Sequence, residues 1–448
     1  MQFITLADYL LLPIYLVIIY LIAYRIRNRF YPEGHPWRRY FMQGLTLKIF
    51  GAVFISLVYQ YYYGGRDTFT YFRQAEIINS SLKESAGKWL NLVLRVPNWY
   101  DGDYYQYTSQ MLWYGSYNSY MVCIITAIVN LFTFRTFLPT AVIFAAISFS
   151  GIWAMFRTFA VQYPHLLKYI ALAMLFIPST FIWGSGVFKD TVCMFGLGWM
   201  TYASFQLLIH FKLRPGSLLL GILGFYLVAV IKVYILLAFL PALALWILFI
   251  YSHKVKVAFL RVLLKTLVFV GAAVGFMFFS SQFADELGQY SLDNIAKTST
   301  VTRDWINLSS GDEGSSYDLG EFDPSIGGML KKFPLAVNVS LFRPYLWEAR
   351  KPIVFLNAIE AFLFLFVTLK ILFTIGPIRT WKTINEDPNI QFCLIFTLIF
   401  GFAVGISSYN FGSLSRYRIP CLPLYALALI LIYYKNNPPE KKLLSIRN

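Results

Sequence analysis

The stretch QGLTLKIFGAVFISLVYQYYYGGRDTFTYFRQ (43–74) decides how the rest of the chain is read. Its first part, 43–63, is an apolar block of roughly 20 residues, the length that crosses the hydrocarbon of a bilayer as a helix. Its second part sets two glycines, Arg66 and Asp67 at the edge of that block, among tyrosines and phenylalanines. A carboxylate held at a membrane surface can orient or deprotonate a hydroxyl acceptor while the lipid tail of a substrate stays in the bilayer. Asp67 is therefore the first candidate catalytic residue, as a base or a metal ligand. The alternative is a helix cap or a loop carboxylate paired with Arg66 or Arg73.

Working outward, similar apolar blocks fall at 8–24, 119–134, 137–156, 166–183, 189–209, 216–231, 234–252, 263–280, 353–374, 391–408 and 419–434. Together they predict an all-α, polytopic transmembrane bundle of about 11–12 helices. The chain reads as one integral membrane domain over 1–448, with large outer loops at 64–118 and 281–352. Of its 448 residues 58% are hydrophobic and only 13% charged, against about 25% charged in a globular domain. The net charge of +16 belongs with cytoplasmic loops and anionic headgroups. Hydrophobicity excludes a soluble nucleic-acid-binding protein. Cys123, Cys193, Cys393 and Cys421 and the scattered histidines 35, 165, 210 and 253 show no disulfide or zinc spacing.

The basic segments 24–40, 210–216 and 253–265, the residues around Arg379 and Lys382, and the C-terminal tail all mark the cytoplasmic side. The segment 156–168 also looks cytoplasmic. An odd number of crossings must then separate it from loop 64–118, whereas the apolar blocks number two. Either one of the blocks 119–134 and 137–156 is re-entrant, or the two form one broken unit around FRTFLP.

Further charged clusters sit at span edges. In PSTFIWGSGVFKD (178–190), Pro178 and the Gly184–Ser185–Gly186 run break an apolar stretch just before Lys189 and Asp190. Backbone freed at membrane depth is tolerated where it lines protein or water, and charges there default to a functional reading. The alternative is a plain hairpin with Lys189 reaching for headgroups. Lys232, between VAVI and VYILL, is the one cation read as lying clearly inside a span; it meets a phosphate or pairs with a carboxylate. FRPYLWEAR (342–350) and SLSRYRIP (413–420) supply Arg343, Glu348, Arg350, Arg416, Tyr417 and Arg418. Their guanidinium forks suit a diphosphate. In loop 64–118, Asp101 and Asp103 flank Gly102 and are weak candidates for a divalent cation; otherwise they form a turn.

In order and membrane placement these segments resemble the bacterial GT-C superfamily of polytopic glycosyltransferases and its polysaccharide-polymerase relatives. The acidic residue of the first large outer loop is matched by Asp67 in GGRDTFTYF. A P-S-x-x-x-W-x-S-G-x-x-K-D/E stretch is matched by PSTFIWGSGVFKD, F-R-P-x-x-W-E-A-R by FRPYLWEAR, and R-Y-R-x-P-x-x-P by RYRIPCLP. The resemblance runs from about residue 60 to 434 and implies a GT-C-like fold with an outer-face cleft, in the cytoplasmic (inner) membrane. It implies transfer or polymerisation of sugars from a polyprenyl-linked donor to a glycan or lipid-linked acceptor during envelope glycan assembly. By resemblance Asp67 activates the acceptor hydroxyl. Lys189, Lys232, Arg343, Arg416 and Arg418 hold the lipid phosphate, and Asp190, Glu348 and Tyr417 position substrate. The chain departs from the pattern in three ways: an extra span precedes Asp67, it has no second acidic partner of the kind found in metal-dependent oligosaccharyltransferases, and it has no large soluble C-terminal domain. The rival readings are a transporter or flippase of lipid-linked glycans and a non-catalytic envelope scaffold.

Overall fold

A computed structural model describes residues 3–252, 317, 319–320 and 326–438. The described residues form helices and no β-strand. Seven of the helices are long and apolar enough to cross a membrane, or eight if the last two are one broken span. The chain is a multi-pass membrane protein with an all-helical fold. The expected span 263–280, the basic stretch from 253, the 281–316 part of the second outer loop and the end of the tail lie outside the described residues.

The chain divides into two compact units, Met1–Leu236 with Ser415–Pro420, and Leu237–Leu414 with Cys421–Asn448. In the first unit, α1 (Leu6–Phe30) and α2 (Arg38–Tyr61) are long apolar helices. Asp8 is buried in the first turn of α1, accepts from Thr5 N at 2.8 Å, and also accepts from Leu138 N at 2.8 Å. One carboxylate thus satisfies the orphan N–H groups of two helix starts. After α2 come α3 (Asp67–Ser80), α4 (Ala86–Val93, capped by the Ser85 hydroxyl) and the short α5 (Tyr105–Thr108).

The expected block 119–134 is the shorter helix α6 (Tyr117–Asn130). Its 14 residues span about 21 Å, short of the roughly 30 Å hydrocarbon thickness, and it packs along α3. The 24-residue α7 (Phe137–Ala160) is by contrast long and apolar enough to cross a membrane. The block 166–183 is not one helix. It breaks into a 3-10 turn (Pro164–Leu166), α8 (Leu167–Leu175) and α9 (Pro178–Trp183), because Pro178 lacks the N–H a continuous helix needs. Helix α10 (Lys189–Ser204) ends in a π turn, Phe205–Ile209. It lies so close to α7 that a Cβ on Gly198 would come within 1.9 Å of the Gly151 carbonyl oxygen. Small residues permit this approach where lipid gives helices no hydrophobic drive to associate.

The expected spans 216–231 and 234–252 run together as α11 (Pro215–Ser252), two helical stretches that meet at a kink at Lys232, where φ is −147 and ψ 71. The hydropathy dip falls on that kink. The second unit continues with α12 (Ile326–Lys331), α13 (Phe333–Phe342), α14 (Pro352–Ile375), α15 (Pro377–Glu386) and α16 (Pro388–Ser408). Asp387 caps α16 through Asn389 N at 2.8 Å and pairs with Lys435 at 2.6 Å. The chain closes with α17 (Phe411–Tyr417) and α18 (Leu422–Asn436). Arg416 lies at the end of α17 and Arg418 in the break between α17 and α18.

Candidate functional site

Asp67 is the first residue of α3, where a carboxylate complements the positive end of the helix dipole. The chain reaches it through three residues of positive φ: Gly64 (66°), Gly65 (123°) and Arg66 (75°). The first two are free to adopt this; Arg66, with ψ −158, is strained. Strain of this kind persists where surrounding contacts over-determine the backbone. Here the Arg66 guanidinium stacks over Tyr63 at 5.5 Å, and Thr68 Oγ1 donates to the Val187 carbonyl at 3.1 Å. That last bond joins the start of α3 to the 184–188 loop ahead of α10, so Asp67 and Asp190 come from adjacent segments.

Asp190 is fully buried, with 0% of its side chain exposed. Lys232 Nζ donates to its Oδ1 at 2.5 Å, and Arg416 Nε and Nη2 reach its Oδ2 at 3.4 Å. The kink in α11 releases Lys232 from regular helical geometry, and its ammonium also lies 4.4 Å from the Tyr417 ring. Arg416 extends further. Its Nη1 lies 3.4 Å from Asp67 Oδ2 and 3.3 Å from the Tyr59 hydroxyl, and its guanidinium is 4.9 Å from the Phe188 ring. The result is a line of charges: buried Lys232, buried Asp190, Arg416, and Asp67, whose side chain is 48% exposed. Lys189 adds another cation beside this line; its Nζ donates to Asn118 Oδ1 at 3.1 Å. Counting these five groups, three cations face two carboxylates, an excess of one positive charge.

Tyr63 and Tyr71 lie near Arg416. Burial pushes the Tyr63 hydroxyl up to about 12. Burial, reinforced by the Asp67 carboxylate, pushes the Tyr71 hydroxyl well above the usual tyrosine range. Both remain neutral donors at physiological pH.

The first unit thus gathers Asp67, Lys189, Asp190, Lys232, Arg416 and Tyr417, and Arg418 is buried in the same unit. In the structure Lys232 pairs with the Asp190 carboxylate, and Asp67 pairs with Arg416, not with Arg66 or Arg73. Arg343 and Glu348 belong to the second unit, where they pair with each other; Arg343 Nε is 3.0 Å from Glu348 Oε2, and Tyr345 N donates to the same oxygen at 2.8 Å. Asp101 and Asp103 form an exposed turn in which Asp103 N donates to Asp101 Oδ1 at 3.2 Å. Two such oxygen donors fall well short of the six to eight, roughly, that a calcium ion takes. Among the described residues no three His, Cys, Asp or Glu side chains stand together as metal ligands.

The sequence reading missed Lys48. It lies ten residues into α2 and is 2% exposed, so Lys232 is not the one cation inside a span. Its Nζ donates to the Gly184 carbonyl at 2.6 Å, the Thr180 carbonyl at 3.1 Å and the Ser148 hydroxyl at 3.2 Å. The two carbonyls are those freed by the break at α9, and the ammonium takes the place of the missing backbone N–H donors. The signal was present, a lysine alone in LTLKIFGAVF. Tyr59 and Asn118 carried no sequence signal; only folding brings them to Arg416 and Lys189. No family model, curated protein or solved structure matches this chain.

Proposed function

We propose that this protein is a membrane glycosyltransferase that transfers or polymerises sugars from a polyprenyl-linked donor at the outer face of the cytoplasmic membrane. The observation that carries the reading is the half-exposed Asp67 sharing Arg416 with the buried Asp190–Lys232 pair. An accessible carboxylate next to cations in a water-poor setting suits a reaction in which a hydroxyl attacks and a phosphate leaves. The acceptor proton passes to Asp67 as the new C–O bond forms at the anomeric carbon. The bond from that carbon to the phosphate oxygen breaks, and its electron pair leaves on that oxygen, beside Arg416 and Lys189. Lys232 is committed to Asp190, so its part is to hold Asp190 and, through it, the Arg416 fork. Arg343 and Glu348 are assigned no step.

The test is a mass profile of envelope glycans and polyprenyl-linked saccharides in a deletion strain complemented with wild type or with Asp67→Asn. The reading expects a glycan to be lost, its lipid-linked precursor to accumulate, and only wild type to restore it. Full restoration by Asp67→Asn makes Asp67 structural. It then moves forward the second reading, a transporter of lipid-linked glycans, which needs cations along a path through the bilayer. Against transport, all three partners of Lys48 are fixed protein groups, so it lines no open path.

A further inference from the structure

A second polar site lies on the opposite side of α3. A groove of about 630 Å³ is lined by Arg73, Glu76, Ser80, Lys83, Glu84 and Gln106, among others. That volume is within the range of about 300–1,000 Å³ typical of small-molecule sites. Arg73 is six residues and Ser80 thirteen beyond Asp67, so the groove runs from about 9 to about 20 Å along the helix axis. At about 100° per residue its α3 side chains point roughly away from Asp67. It is separate from the charged line described above.

Three features describe what it would hold. First, one wall is fixed in advance. Glu84 accepts from Lys88 Nζ at 2.7 Å, from Gln106 Nε2 at 2.7 Å and from the Tyr107 hydroxyl. Gln110 Nε2 donates to the Gln106 carbonyl at 2.7 Å. Polar side chains already held in place lose little freedom when a ligand binds. Second, Glu76 is half-buried and among the described residues makes no hydrogen bond or ion pair, while the Arg135 and Arg73 charges lie close enough to favour its carboxylate. A carboxylate in that condition is an acceptor awaiting hydroxyls. Third, Lys88 neutralises Glu84, while Arg73 and Lys83 have no carboxylate within ion-pair distance among the described residues. Against Glu76 alone they leave one positive charge in excess.

We propose that this groove binds an anionic saccharide, with the acidic substituent on Arg73 and Lys83 and ring hydroxyls on Glu76 and Gln106. The assignment of a saccharide rests on the glycosyltransferase reading; the anionic class rests on the groove itself. Its position away from Asp67 makes it a holding site for the body of an acceptor or product chain, not for the reacting end.

The test is calorimetric titration of the purified full-length protein in lipid nanodiscs. The probes are tetragalacturonate, maltotetraose as the neutral control, and inorganic phosphate. The expected result is that tetragalacturonate binds at least about tenfold tighter than either control, a difference of about 1.4 kcal/mol, and that added salt weakens it. Arg73→Gln with Lys83→Gln removes that preference, and Glu76→Gln weakens binding of the acidic probe. Both sites are at the groove surface, and elution in gel filtration checks that the variants fold. Equal binding of the neutral probe, equal binding of phosphate, no loss in the double variant, or no binding at all each overturns the proposal. Asp67→Asn keeps binding intact, so a failed glycan profile with intact binding sinks the transferase reading alone.

Discussion

Replacing Lys232 with methionine removes the closest partner of a carboxylate that has no access to water. Asp190 is 0% and Lys232 6% exposed, with 2.5 Å between them. Deleting one member of a buried ion pair costs about 3–5 kcal/mol, because the remaining charge is left uncompensated. Arg416 still lies 3.4 Å from the other oxygen, so the expected loss is at the lower end, about 3 kcal/mol. Replacing both residues, Asp190→Asn with Lys232→Met, removes the stranded charge. Arg416 retains Asp67 at 3.4 Å, so the double variant should be more stable than Lys232→Met alone by about 1–3 kcal/mol. The assay is reversible unfolding in mixed micelles titrated with denaturing detergent, run on the four members of the cycle. A Lys232→Met protein within about 0.5 kcal/mol of wild type, the range of an ordinary surface substitution, refutes the reasoning. So does a double variant no more stable than the single.

Three further outcomes are expected. Gly198→Ala should destabilise by about 2 kcal/mol or more, since its Cβ would meet the Gly151 carbonyl oxygen at 1.9 Å, whereas Gly216→Ala, with nothing within 4 Å, should be close to neutral in the same unfolding assay. Lys48→Met takes the ammonium from the Thr180 carbonyl and leaves the Gly184 carbonyl with the Ser148 hydroxyl alone, at 2.9 Å. At about 1–3 kcal/mol for a buried unsatisfied group, the variant should lose about 1–3 kcal/mol and become sensitive to proteolysis near 176–188. Glu76→Gln gives a pH-dependent effect. Burial raises the Glu76 carboxyl above its ordinary value of 4.5. Its contribution to stability is therefore complete below that value and is lost as pH rises through the raised folded value. The glutamine variant should match wild type near pH 4 and melt at a higher temperature near pH 8. A gain of equal size at both pH values contradicts the assignment.

Hydropathy alone carried most of the helical inventory. Blocks such as 353–374 and 391–408 became helices Pro352–Ile375 and Pro388–Ser408, since an apolar run of that length has no better way to satisfy its backbone in lipid. Errors gathered where the backbone deviates from one straight helix per block. The run 119–134 looked long enough to span because the turn after α6 opens with Leu131, Phe132 and Phe134. Lys232, read as the boundary between two blocks, does stand at a break, but the two helical stretches meet there at a kink with no loop between them. Pro178, which a window average smooths over, divides 166–183 in fact.

The candidate site shows the same division. Residue types at span edges were enough to single out Asp67, Lys189, Asp190, Lys232 and Arg416, because ionisable groups are costly next to hydrocarbon and rarely lack a reason. Their pairing could not be read. Arg416 lies 226 residues from Asp190 and 349 from Asp67, and nothing local encodes such a contact. Folding committed Lys232 to Asp190, tied Arg343 to Glu348, and set Lys48 against the broken helix. What the sequence determined by itself is an all-helical chain built for a membrane, with its charges near the span ends, because hydrocarbon imposes that rule residue by residue. Which carboxylate stays exposed and which cations are already spent was decided only by tertiary structure, since each charge takes the partner that packing leaves within reach.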